Sequence, residues 1–191
     1  MKFLKMQAAG NDFVVVDARG MRCNWAGMAS AMCDRHLGIG ADGLLLVLPS
    51  RKADYRMRMF NPDGSEAESC GNGLRCFARY LREFGLVAGG KNEIRIETAA
   101  GIRVAKPRTS KGQVHRVKVN MGEPRFTPEE IPISLDHIHC GAIVDIMPGF
   151  KFPLLVAGRE LGLNFVSMGN PHAVCFRWNV TGYSRRGRTL R

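Results

Sequence analysis

The chain has 191 residues, 45% hydrophobic and 24% charged, a balance that excludes collagen, coiled coil and wholesale disorder. No apolar run reaches the roughly 18 residues that cross a bilayer, and MKFLKMQAAGNDF lacks the apolar centre of a signal peptide, so a soluble cytoplasmic protein without membrane contact is expected. The net charge of +11 points first toward nucleic acid, but Arg177, Arg185, Arg186, Arg188 and Arg191 crowd the end of the chain and no Asp or Glu follows Glu160. That is the pattern of a solvated tail, and a nucleic-acid partner is not expected.

In chain order, FVVVD (13–17) reads as a buried strand. Asn24 can cap a helix carrying Trp25, Met28, Ala29 and Met32 on one face, ending near Cys33. GIGADG (38–43) is a glycine loop and LLLVL (44–48) a short buried strand. YRMRMF (55–60) alternates, with Tyr55, Met57 and Met59 on one face, as a half-buried strand does. NPDGSEAES (61–69) is turn material. An amphipathic helix over 72–84 carries Leu74, Phe77, Ala78 and Leu81 on one stripe, and Gly85 stops it. Strands are expected near 93–98, 102–106 and 115–120; Pro124, Pro128 and Pro132 then punctuate a crossing between units. The whole predicts an α+β chain: a first domain over 1–120, a second, shorter one over 121–176 and a basic tail without apolar period over 177–191.

The densest chemistry lies in Asn61–Arg75, NPDGSEAESCGNGLR, where a strand hands over to a helix. Cys70 falls at the helix start, where unpaired N–H groups and the helix dipole favour a thiolate. The N–H groups of Gly71, Asn72 and Gly73 can hold a carboxylate, and the glycines let a ligand approach. A base beside a carboxylate cradle suits removal of a proton α to a carboxylate; the plainer alternative is a small thiol packed under a turn. Cys23, Cys33, Cys76 and Cys175 are read as packing residues. His137, His139 and Cys140 have no second ligand pair at zinc spacing, so no metal is expected, and GIGADG lacks the Lys-Ser/Thr of a phosphate loop. Gly10-Asn11 and Gly169-Asn170 each lead into a strand after a Met-containing stretch, a weak internal repeat.

Together these blocks resemble the diaminopimelate epimerases. KMQAAGNDFVVVD, DRHLGIGADGLLLV, FNPDGSEAESCGNGLRCFARYL, VNMGEPRF and VSMGNPHAV carry the resemblance over about residues 1–176, and N-x-D-G-S-x4-C-G-N-G-x-R is its most specific part. The resemblance implies two pseudo-repeated units, each a β-rich sheet wrapped around a central helix, the second incomplete here. It implies cofactor-independent interconversion of LL- and meso-diaminopimelate between two cysteines, without pyridoxal phosphate. Cys70 matches the first cysteine. Asn11, Asn61 and Asn170 match substrate-binding asparagines, Gly71 and Asn72 the carboxylate cradle, and His172 a histidine that tunes the thiols. A homodimer is implied as well. The family's late glycine-rich block with its second cysteine, a Glu-Arg pair and a further Asn have no counterpart in these 191 residues, and Gly43 stands where some members have Gln. The expectation is therefore a shortened chain bearing one half of the site. The competing readings are an inactive substrate-binding remnant and a basic nucleic-acid module.

Overall fold

The computed structural model describes residues 1–88, 90–127, 130–131, 151–156, 159–169 and 171–175. They divide into two compact units, Met1–Gly122 and Glu123–Arg191. The first holds β1 (Leu4–Ala8), β2 (Asn11–Asp17), α1 (Trp25–Cys33), β3 (Gly43–Leu48), β4 (Tyr55–Phe60), β5 (Glu66–Ala67), α2 (Gly71–Glu83), β6 (Ile94–Thr98), β7 (Gly101–Ser110) and β8 (Gln113–Asn120).

The strands form one mixed sheet in the order β1-β2-β3-β4-β6-β7-β8, with β5 paired beside β4. Two neighbour pairs are parallel, β2 with β3 and β4 with β6. Parallel neighbours need a crossover, and α1 and α2 supply the two. The helices lie on opposite faces. Val14, Val16, Leu44 and Leu46 pack with Trp25, Ala29 and Met32 of α1. The alternate residues Phe13, Val15, Leu45 and Val47 pack with Leu74, Phe77, Ala78 and Leu81 of α2. Burial on both faces explains why β2 and β3 read as unbroken apolar runs rather than alternating ones.

The outermost strands β1 and β8 both reach the α2 cluster, through Leu4, Ala8, Val117 and Val119. Opposite edges of a sheet can touch one helix only if the sheet curls around it. Helix α2 is thus the axis of the unit, and its Leu74, Phe77, Ala78 and Leu81 are wholly buried. A fully buried Leu or Phe contributes about 1.5–3 kcal/mol, so this stripe is a large part of the unit's core.

The described strands of the second unit, β9 (Lys151–Val156), β10 (Arg159–Ser167) and β11 (Pro171–Cys175), form an antiparallel sheet in the order β11-β10-β9. Arg125 joins it through a bridge to Ser167, with backbone bonds of 2.9 Å in both directions. Gly10 and Gly169, the glycines of the two Gly-Asn segments, each lie between antiparallel strands. Ala8 pairs with Asn11 across a two-residue turn at the β1–β2 hairpin, and Ser167 pairs with Pro171 at the β10–β11 hairpin.

Three local expectations need correction. Strand β1 was not foreseen, because only Met6 of LKMQA is buried outright. The segment 61–69 contains the short strand β5, pinned by a two-pronged bond from Arg58 to Glu66 at 2.7 Å in each prong. Strand β7 runs on to Ser110, past Pro107. Strand β6 pairs with β7 only as far as Ala105, so from there β7 has a single sheet neighbour and a proline fits.

Candidate active site

Helix α2 starts where the carboxyl end of β4 has turned through residues 61–69. Cys70 is its N-cap, in extended conformation, with its thiol Sγ accepting the Gly73 N–H at 3.3 Å. The first helical bond runs from Leu74 N–H to the Cys70 carbonyl at 2.8 Å. Gly73 being committed to the thiol, the N–H groups of Gly71 and Asn72 are those a helix start leaves for a ligand. Cys70 is half-buried, so the thiol is positioned from below and reachable from outside.

Gly73 is needed for close approach. A Cβ there would stand 3.2 Å from Leu45 Cδ2, 3.4 Å from the Cys70 Cβ and 3.5 Å from its Sγ. Gly43 is similarly tight: a Cβ would lie 3.0 Å from both Met59 Cε and the Phe60 carbonyl. A side chain at 43 would thus press on Met59 and Phe60 of β4, which would have to give slightly.

Asn11 and Asn72, 61 positions apart in sequence, meet directly: Asn72 Nδ2 donates to Asn11 Oδ1 at 2.7 Å. Asn11 Nδ2 donates to Asp42 at 3.0 Å, and Arg75 donates to Asn72 Oδ1 at 2.6 Å. Asp42 and Asp12 are cross-braced by their backbone N–H groups, each bonding to the other's carboxylate at 3.1 Å. Arg35 spans both carboxylates, and Lys5 lies 3.2 Å from Asp12. The Arg35 guanidinium holds the Asp12 carboxyl well below the usual carboxylate range, against the opposing effect of burial.

The structure therefore brings Cys70, Gly71, Asn72 and Asn11 to one place. Asn61 follows β4 in a turn of its own, donating from Nδ2 to Ser65 Oγ at 2.9 Å, and Ser65 Oγ donates to Asp63 at 2.6 Å. His172 lies on β11 of the second unit, exposed, opposite Val166. Asn170, His137, His139, Cys140 and the segment 177–191 lie outside the described residues. Among the described residues no group of three His, Cys, Asp or Glu could hold a metal.

The packing reading of the remaining cysteines holds for two of them. Cys33 and Cys76 are buried; burial pushes the Cys76 thiol up to about 11 and the Cys33 thiol up as well. Cys23 and Cys175 are exposed, which corrects the expectation: one precedes the α1 cap in a loop and the other ends β11. Sequence reasoning missed the frame of Asp42, Arg35 and Arg75, because its partners lie up to 31 residues apart with no periodic signal. It also missed Ser69, buried beside Cys70, its Oγ without a hydrogen-bond partner among the described residues.

With this geometry in hand, comparison with known proteins is decisive. The family model described as diaminopimelate epimerase matches residues 3–127. The chain belongs to the diaminopimelate epimerase family. It is 46% identical over 181 residues to the diaminopimelate epimerase of Pelotomaculum thermopropionicum, covering 92% of this chain and 60% of that protein. It is 48% identical over 186 residues to that of Moorella thermoacetica, covering 95% and 62%, and 42% identical over 186 residues to that of Methanococcus maripaludis, covering 94% and 61%. The chain thus spans about three fifths of the length of these epimerases. Among solved structures, a hydroxyproline epimerase from Agrobacterium vitis superposes with a TM-score of 0.65 at 18% identity, covering 90% of this chain and 50% of that one. A phenazine biosynthesis protein of the PhzF family from Bacillus anthracis gives 0.56 at 24% identity, covering 92% and 56%. At such identities the likeness concerns the fold, a curled mixed sheet with few helices. The α+β class read from the sequence is the one observed.

Proposed function

We propose that this chain carries the proton-abstracting half of a diaminopimelate epimerase site. The observation that supports it is Cys70 at the N-cap of α2, its Sγ held by the Gly73 N–H and flanked by the N–H groups of Gly71 and Asn72. A substrate carboxylate at those N–H groups is stabilised by the helix dipole and brings its α-carbon to the thiolate. The thiolate removes the α-proton, and the same N–H groups hold the charge that develops on the carboxylate. Asn11 and Asn72 orient the amino acid at this end. Asn61, Asn170 and His172 join them in the reading, the asparagines as further substrate contacts and the imidazole as the group that tunes the thiol.

Inversion needs a proton donor on the opposite face of the α-carbon, and one thiol serves one face. A polypeptide of these 191 residues is expected to exchange the α-proton of diaminopimelate in heavy water slowly and with retention. Cys70→Ser should abolish the exchange, since a hydroxyl is a far weaker acid than a thiol. Neither a chelator nor added pyridoxal phosphate should change it. Mass spectrometry and chiral chromatography read both outcomes. Inversion at about 1 per second or faster would show that these residues hold the whole site. Binding of the amino acid without any exchange would leave a substrate-binding remnant. Pairing with a second copy belongs to the same proposal, and sedimentation velocity tests it.

A further inference from the structure

Asn11 and Asn72 can each present a donor or an acceptor to a ligand, according to which way the amide is turned. Their hydrogen bonds form a line with unambiguous ends. Arg75 is a guanidinium and only donates, so Asn72 must offer it Oδ1, at 2.6 Å. Asn72 then turns Nδ2 toward Asn11, which must accept through Oδ1, at 2.7 Å. Asn11 is left to offer Nδ2 to Asp42, whose carboxylate only accepts, at 3.0 Å. Turning either amide over would set donor against donor at one contact and acceptor against acceptor at the other. The carboxylate end is itself immobilised. Asp42 accepts from Arg35 at 2.8 Å and from the Asp12 N–H at 3.1 Å, while Arg35 grips Asp12 through two nitrogens at 2.7 and 3.1 Å.

We propose that Asp42 and Arg75 are positioning residues that fix the amide orientation of Asn11 and Asn72 from opposite ends of one directional relay. The relay uses one N–H and one lone pair of each amide and leaves one of each in a set direction for a ligand. A site aimed at an amino acid gains from this, because the donors need no reorganisation when the carboxylate arrives. The assignment of a ligand rests on the reading of Asn11 and Asn72 as substrate contacts; the relay itself does not. Neither positioning residue is required to touch the substrate.

The experiment uses the 191-residue chain labelled with ¹⁵N, reading its side-chain amide signals. The wild type should show exchange-protected signals for both Asn11 and Asn72. Asp42→Asn, which can accept or donate, should release Asn11 and shift Asn72, two contacts away, while the Asn24 amide that caps α1 stays unmoved. Arg75 is exposed on α2, so Arg75→Met should fold; it should release Asn72 first, and Arg75→Lys, still a donor only, should restore part of the protection. Asn11 and Asn72 signals indifferent to both changes, or lost together with that of Asn24, would overturn the relay. Calorimetric titration with meso-diaminopimelate adds the functional arm. Asp42→Asn should weaken binding about tenfold, the scale of one well-placed hydrogen bond, and should add nothing in an Asn11→Ala background. Losses that simply add would overturn the positioning role. A wild type that shows the relay but does not bind diaminopimelate would instead remove the substrate reading and leave the relay standing.

Discussion

At the scale of single residues, the five described cysteines separate by environment rather than by neighbours in sequence. Cys33 and Cys76 are sealed among apolar side chains, where a thiolate is penalised. Cys23 and Cys175 are open to solvent. Cys70 is half-buried, and its Sγ accepts the Gly73 N–H at a helix start, the setting in which nucleophilic cysteines are found. Labelling with iodoacetamide at neutral pH, mapped by mass spectrometry, should therefore modify Cys70 before Cys23 despite the greater exposure of Cys23. Cys33 and Cys76 should react only on unfolding. A Cys23 rate equal to or above that of Cys70 would remove the argument that the helix start activates the thiol.

At the scale of elements, α2 is both the core's axis and the site's platform, and Gly73 belongs to both. Its absent side chain leaves room for Leu45 below and the Cys70 thiol beside it. Gly73→Ala should cost about 1–3 kcal/mol, the usual range for overpacking, because Leu45 Cδ2 stands 3.2 Å from the new Cβ, and should slow Cys70 alkylation because the added methyl, in contact with Sγ at 3.5 Å, crowds the approach to it. Denaturant unfolding and the labelling rate measured on one variant check both effects; a stable Gly73→Ala with an unchanged rate would contradict the packing. Leu74→Ala, on the stripe the sheet wraps, should cost about 2–5 kcal/mol and no less. Helix α2 was legible in the sequence because its apolar stripe, glycine-rich start and Gly85 stop all agree. Strands β2 and β3 were legible from apolar runs that only two-sided burial tolerates. Strand β1 was not, since an edge strand with one buried side chain leaves almost no pattern. The site divides the same way: Cys70, Gly71 and Asn72 are adjacent in sequence and announce a helix terminus. Asp42 and Arg35 act on it through contacts that only the folding of the β2–β3 crossover creates.

At the scale of the first unit, titration should limit stability from both sides. Arg35 holds the Asp12 carboxyl below its usual range, and Arg19 and Arg58 do the same for Asp17 and Glu66. A carboxyl that gives up its proton more readily in the folded chain contributes stability above its unfolded pKa of about 4, and that contribution drains away as the pH falls further. The buried thiols work in the opposite sense. The folded chain keeps Cys76 protonated up to about 11. Its contribution is complete below the ordinary thiol pKa of about 8.5 and is lost as the pH climbs from there through about 11. Unfolding free energy, followed by the fluorescence of the buried Trp25 and by circular dichroism, should therefore stay level between about pH 5 and 8 and fall on both sides. Asp12→Asn should flatten the acid limb in part, with Asp17 and Glu66 retaining the rest, and leave the alkaline one. Cys76→Ala should lower the whole curve, because it opens space in the α2 cluster, and should flatten the alkaline limb in part, with Cys33 retaining the rest. If Cys76→Ala lowers the curve without changing its alkaline slope, the proton held on that thiol is not what the fold loses at high pH.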